Sequence, residues 1–363
     1  MIYMDNAASR LGNYNNFNAN SAYATERQQN LEHAREQIAY VLNCSPNEIY
    51  FTSGGCESNS WALQRIKTDK KHIITTKIEH KSILNCCKYL EEHGYEVTYL
   101  DVEEDGHVHL SDISKNIRPD TFLISIMHVN NEIGCIQPIE EIGKIAHRYG
   151  VFFHVDAVQS IGNIDIDVEK CYIDLLSASG HKFAVNNGVG FLYCSERVPL
   201  EPLIFGGSQE RGIRGGTTNY NPIIRMANAL IIKHKNEITR EYIRDLIKYF
   251  REELGKLPYD IRINTPISDE TNILSVSFAN VDAESLMMFL LDFDILVSAG
   301  SACNTDTKSV SHVLKAIKVP DEYINGTIRF SLSEFNTISQ INAVVEIIDN
   351  YFTSSKSASW MSS

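Results

Sequence analysis

TFLISIMHVNNEIGCIQPIEEIGKIAHRYGVFFHVDAVQ, residues 121–159, decides the fold. It opens on an apolar, β-rich run from Thr121 to Met127, crosses a polar stretch and enters a helical segment from Ile139 to Tyr149. A second β-rich run, Val151 to Val155, ends against Asp156. Strand, helix, strand is the unit of a parallel sheet, because the chain must cross back over the sheet before the next strand can run the same way.

The same alternation extends outward from residue 49 to about 195. Further candidate strands are Ile49 to Thr52, His72 to Thr76, Val97 to Leu100, Asp174 to Ala178 and Val189 to Cys194, with helices at Glu57 to Ile66 and Lys81 to His93. Beyond them a long helical stretch from about Pro222 to Leu257 is closed by Pro258. The character then changes: strands at Ile273 to Phe278, Ile295 to Ser298 and Thr327 to Leu332 alternate with helices at Ala283 to Phe293, Val310 to Ile317 and Ser339 to Phe352. The expected fold is α/β. A large domain over residues 12–238 holds a mainly parallel seven-stranded sheet between helices, and a smaller α+β C-terminal domain comprises 239–363 together with 1–11. The serine-rich tail from Ser354 to Ser363 is expected to fray.

A chain of 363 residues that is 43% apolar can bury a large core. Its formal charge of −13 repels nucleic acid and anionic membranes at long range. Met1 to Ser9 is neither basic nor apolar, and no segment approaches the roughly 18 apolar residues of a membrane span. A cytoplasmic protein with protein and small-molecule partners is expected. The eight cysteines form no CxxC pair and no zinc spacing with the twelve histidines, so neither a disulfide framework nor a metal site is predicted. His107 and His109, beside Asp105 and Gly106, read as a surface turn.

Four polar clusters fall at carboxyl ends of predicted strands, where ligands bind in open α/β sheets. In Phe51 to Asn59 a strand runs through Gly54 and Gly55 into a helix, whose free amides would seat a phosphate, although an ordinary turn has the same appearance. Asp156 ends a buried strand and needs a cationic or hydrogen-bonding partner. A protonated pyridine nitrogen would supply one, with Gln159 reaching the neighbouring phenolic oxygen; a helix-capping Asp is the alternative. Ser177-Ala178-Ser179-Gly180-His181-Lys182 places a lysine just past an apolar strand, a poor position for a solvated charge and a good one for a covalent bond to pyridoxal-5'-phosphate (PLP). Gly206 to Thr218 has five glycines within residues 206–216, and its Arg211 and Arg214 suit anion contacts unless the segment is a plain surface loop.

The segments FTSGGCESN, IEHKSIL, SIMHVNNEIG, HVDAVQSIG, SASGHKF, QERGIRGGT, NILSVSF, VSAGSACN and IRFSL resemble, in order and over nearly the whole chain, the signature blocks of the cysteine desulfurases. These are PLP enzymes of the class V aminotransferase superfamily, fold-type I. The resemblance implies that Lys182 bonds the cofactor and serves as acid and base at the substrate α-carbon, while His80 stacks on the ring. Asp156 pairs with the pyridine nitrogen and Gln159 with the phenolic oxygen. Gly55, Cys56, Ser179 and His181 hold the phosphate with Thr217 of a second subunit, so a homodimer is implied. Asn131 and Arg329 hold the substrate carboxylate, a task suited to a planar guanidinium.

Cys303 lies among small polar residues just beyond a predicted strand. The resemblance makes it the thiol that takes sulfur from L-cysteine, leaving L-alanine and a persulfide for a protein acceptor, as in iron-sulfur cluster assembly. Residues Cys303 to Leu314 then form a movable loop like that of the longer-loop group. An aminotransferase or selenocysteine lyase of the same superfamily, or a non-catalytic PLP-fold scaffold, are the alternatives. The chain departs from the family pattern in four places. Ala184 to Gly188 replaces a Gly-Pro-Lys-Gly turn, and Cys56 stands where a threonine is usual. The block from Asp5 to Arg10 lacks a following Thr and Pro, and Ser333-Glu334 replaces Gly-Arg.

Overall fold

The computed structural model describes residues 22–183, 187–299 and 310–360. Seven strands form the main sheet: β1 (Ile49–Thr52), β2 (His72–Thr76), β3 (Glu96–Leu100), β4 (Thr121–Met127), β5 (Phe152–Asp156), β6 (Leu175–Ser179) and β7 (Gly190–Cys194). Their order is β1-β7-β6-β5-β4-β2-β3. Only β7 runs against the rest, pairing antiparallel with both β1 and β6. The mainly parallel seven-stranded sheet is therefore observed, and every strand except β7 points its carboxyl end to one edge.

Neighbouring strand residues turn to opposite faces, and both faces are apolar. Ile74, Ile124, Leu176 and Phe191 pack with α1 (Ala22–Leu42), α4 (Leu110–Asn116), α5 (Ile139–Tyr149) and α6 (Tyr220–His234). Ile73, Leu123, Leu175 and Leu192 pack on the other face with α2 (Gly55–Gln64) and α3 (Lys81–Glu92). The sheet thus lies between two helical layers.

The predicted helix over 222–257 is two helices, α6 and α7 (Glu237–Leu254), because Asn236 accepts the Thr239 N–H and starts a new N-terminus. Helix α7 lies over a second, antiparallel sheet of β8 (Ile261–Ile263), β9 (Ile273–Phe278), β10 (Ser298–Ala299) and β11 (Thr327–Ser331), in the order β10-β11-β9-β8. Helix α8 (Ala283–Leu291) and helix α11 (Ile338–Trp360) complete this smaller core. Between α8 and α11 run α9 (His312–Ala316) and α10 (Asp321–Ile324). Of the tail expected to fray, Ser354 to Ser363, the part up to Trp360 continues α11, and residues 361–363 lie outside the described residues.

The predicted turn at His107 is more than a surface feature. Its imidazole is only 25% exposed and lies 3.0 Å from Asp105 and 3.2 Å from Asp269, which comes from the connection between β8 and β9. Asp269 also accepts the Ile136 N–H at 2.7 Å, so one carboxylate ties the smaller sheet to two segments of the larger. The buried thiol of Cys135 lies within 4.8 Å of His107 and Asp269 and accepts an amide hydrogen from Gln137. The hydrogen bond to Asp269, reinforced by Asp105, raises the His107 pKa to about 9. A raised histidine stabilises the folded chain fully below the unfolded value near 6.5 and loses that contribution as pH rises through about 9. His107→Gln is therefore expected to be less stable than wild type at pH 6 and to close most of the gap by pH 9.5, read from denaturant unfolding at both values.

Candidate active site

The aligned strand ends surround a cavity of about 260 Å³ lined from both sheets. Asp156 is the last residue of β5 rather than the first beyond it, and it is buried. Its Oδ1 accepts the Val158 N–H at 3.0 Å, and its Oδ2 accepts from Asn59 Nδ2 at 2.7 Å. No helix begins after β5, so the first contact closes a turn rather than caps a helix; the second joins the carboxylate to α2. Burial pushes its pKa up against these two donors.

Beside it, β6 ends at Ser179 and one 3-10 turn, Gly180–Lys182, carries Lys182 to the cavity wall. Ser179 Oγ and His181 Nδ1 lie 2.8 Å apart. Burial, aided by the neighbouring Lys182, lowers the His181 pKa. From β1 the chain turns at Gly54, whose φ of +152° with ψ of −174° only glycine adopts readily, and α2 begins at Gly55. A Cβ on Gly55 would lie 2.6 Å from Val158 Cγ2, so this first turn is packed directly over the segment after β5. It has no side-chain cap, which leaves its amides to meet an anion. Cys56 is exposed here and lines the cavity.

After β2, His80 caps α3, and after β4 come Asn131 and Glu132. Arg329 reaches the cavity from β11 and donates from Nη1 to the Asn131 carbonyl at 2.8 Å. Its buried Nε has no partner among the described residues, nor does Oε1 of Gln159, which lines the same cavity. Two orphaned polar atoms at one cavity call for a polar ligand.

Ten of the predicted residues thus meet at one place: Gly55, Cys56, His80, Asn131, Asp156, Gln159, Ser179, His181, Lys182 and Arg329. Thr217 does not line this cavity and is exposed. Cys303, like Ala184 to Asn186 and the block from Asp5 to Arg10, lies outside the described residues. The two arginines expected to meet an anion are engaged within the chain. Arg214 makes a two-pronged pair with Glu57 at 2.8 and 3.0 Å, and Arg211 donates to the Pro46 and Asn47 carbonyls. Glu334 stands 3.9 Å from Lys233, which offsets its added charge.

The segment expected to move from Cys303 to Leu314 is anchored at its end. Ser311, Val313 and Leu314 are buried, and α9 packs with Ile78, Met127 and Ile133 of the larger body. Ser311 Oγ caps α9 and donates to Glu132 Oε2 at 2.5 Å, while His312 Nε2 meets the Glu79 carbonyl at 3.0 Å. Burial raises the Glu132 pKa to about 7. No local pattern reveals the Glu132–Ser311 contact across 179 positions, whereas Asn59, one helical turn after Gly55, lies on the face that Gly55 turns to the cavity. Ser311→Ala removes a cap and a buried bond together, and is expected to cost about 1–2 kcal/mol of unfolding free energy by denaturant titration.

A family model described as aminotransferase class-V matches residues 4–344. The chain is 43% identical over 335 residues to a protein named cysteine desulfurase IscS from Dictyoglomus turgidum, covering 90% of this chain and 84% of that one. It superposes on a solved NifS-like protein with a TM-score of 0.86 at 37% identity, covering 94% of this chain and 92% of the other. A structure titled SspA in complex with cysteine aligns at 0.77 and 36% identity over 89% and 92%. The fold and cavity define a class-V aminotransferase. Within that class the chain belongs to the cysteine desulfurase family, whose enzymes depend on PLP. The cavity fits that cofactor: a buried carboxylate, an orphaned amide oxygen, a lysine and an uncapped helix start face one space.

Proposed function

We propose that the chain is a PLP-dependent cysteine desulfurase that converts L-cysteine to L-alanine and holds the sulfur as a persulfide on Cys303. The observation that carries this is the convergence of Lys182, Asp156, Gln159 and Arg329 on one cavity in a chain of this family. When bound, the cofactor supplies an electron sink for the bonds at the substrate α-carbon.

In this reading Lys182 holds the cofactor covalently and moves the proton at the substrate α-carbon, with His80 against the ring. The Asp156 carboxylate would face the ring nitrogen and keep it protonated, and the Gln159 amide, whose oxygen has no partner among the described residues, would meet the phenolic oxygen. The amides of Gly55 and Cys56, with Ser179 and His181, take the phosphate. Arg329 and Asn131 hold the substrate carboxylate, and the Nε of Arg329, which has no partner among the described residues, supports that role. The Cys303 thiol attacks the substrate sulfur: the carbon–sulfur bond breaks and a sulfur–sulfur bond forms. L-cysteine and one thiol thus give L-alanine and one persulfide, with no external oxidant.

The exposure of Thr217 supports a homodimer in which it completes the partner's phosphate seat. The division at residues 11/12 and 238/239, delivery of sulfur to a protein acceptor and a cytoplasmic location belong to the same reading. No helix among the described residues is long and apolar enough to cross a membrane.

Protein incubated with PLP and L-cysteine is expected to release alanine and to carry one extra sulfur at Cys303 by mass spectrometry. Lys182→Ala should lose the visible absorption of bound cofactor. Cys303→Ala should keep that absorption and lose sulfur release; full turnover in this variant would point to an aminotransferase or selenocysteine lyase instead.

A further inference from the structure

His80 caps α3 in an unusual way: its ring nitrogen Nδ1 accepts the Ser82 backbone N–H at 3.1 Å. A backbone N–H only donates, so Nδ1 must present a lone pair. The Ser82 hydroxyl lies 2.8 Å from the same nitrogen. That hydroxyl oxygen accepts a hydrogen from Asn59 Nδ2 at 2.8 Å, and the other hydrogen of the same amide goes to Asp156 Oδ2 at 2.7 Å. Each partner fixes the next. An ionised Asp156 only accepts, so the Asn59 nitrogen must face it. The Ser82 oxygen then takes a hydrogen from Asn59, and its own hydrogen is left for Nδ1.

We infer that Asn59 and Ser82 are positioning residues that transmit the charge of Asp156 to His80, holding its ring neutral with the proton on Nε2. The inference rests on the proposed placing of His80 and Asp156 beside the cofactor. It adds to that placing a defined hydrogen-bonding state: His80, which lines the cavity, keeps Nε2 as its donor, and its acceptor Nδ1 is committed to α3. The start of a 12-residue helix also disfavours a positive charge on its capping ring. Burial lowers the His80 pKa, Asp156 opposes this, and Lys182 and Lys81 add to it; His312, from α9, is the other titratable ring that senses His80. An Asp156 that took up a proton would donate rather than accept. Asn59 would then turn its oxygen toward it, and the Ser82 hydroxyl would be released from His80. The buried Asn59 oxygen has no partner among the described residues, so no other contact resists that turn.

The test is nitrogen-15 NMR of ring-labelled histidine in the full chain, with and without PLP, assigning His80 by its loss in His80→Asn. Wild type at pH 7 should show Nδ1 in the unprotonated range and Nε2 in the protonated range. Ser82→Ala should increase the doubly protonated ring roughly three- to tenfold at that pH. Ser82→Thr, which keeps the hydroxyl, should restore the wild-type signals. Asn59→Ala should shift His80 in the same direction, and combining it with Ser82→Ala should add little further. A protonated Nδ1 in wild type, or a Ser82→Ala spectrum identical to wild type, overturns the relay. A wild-type chain that shows the expected ring signals yet never takes up PLP defeats the proposed function and leaves the relay standing, so the two failures are separable.

Discussion

A carboxyl group sealed at the end of a central strand is the constraint around which this molecule is arranged. Asp156 lies on β5, flanked by β4 and β6, where water does not reach it freely. An ionised carboxylate taken out of water costs several kcal/mol unless a cation answers it. The two donors it has, from Val158 and Asn59, hold its oxygens in place but carry no charge. Lys182 arrives from the adjacent strand on the same edge, and both side chains line one cavity; in the proposed reading a protonated heterocycle held there would answer the carboxylate. Parallel strands make this geometry possible, because six of them end at one edge and the segments after β1, β2, β4, β5 and β6 line the cavity there.

The fold was readable where the sequence repeats a simple physical pattern. Strands buried on both faces are short unbroken β-rich runs, and β1, β2 and β4 begin and end where those runs do. Boundaries slipped by one residue at β5 and β6 because Asp156 and Ser179, polar side chains within hydrogen-bonding reach of the cavity edge, are still part of the pleat. Helix α1 has no counterpart among the predicted elements, since glutamate, arginine and glutamine break up the stripe of Leu31, Ile38 and Leu42. The break between α6 and α7 depends on a single asparagine side chain, which a periodicity argument passes over.

The candidate site divides in the same way. Residues that follow a strand directly were found by position alone, and family likeness added their roles. Contacts between distant segments left no trace in any window of sequence: Arg214 pairs with Glu57 across 157 positions and Arg35 with Glu210 across 175. In both cases a buried or half-buried arginine needs a carboxylate, and spatial neighbourhood rather than spacing decides which one answers. The glycine-rich segment around residues 206–216 is consequently stitched to β1 and α2 by its own charges.

The two ends of the stretch holding Cys303 are fastened to different bodies, β10 to the antiparallel sheet and Ser311 to Glu132 beside the parallel one. Chain length then sets a leash. At about 3.3–3.6 Å per residue, a cysteine four positions past Ala299 stays within about 14 Å of it, whatever path the backbone takes. If Cys303 carries sulfur as proposed, that radius limits how far the sulfur could travel. A recipient of the proposed persulfide would have to bring its own reactive atom to within that reach of β10, so the choice of recipient would fall to the shape and charge of the few surfaces that border it.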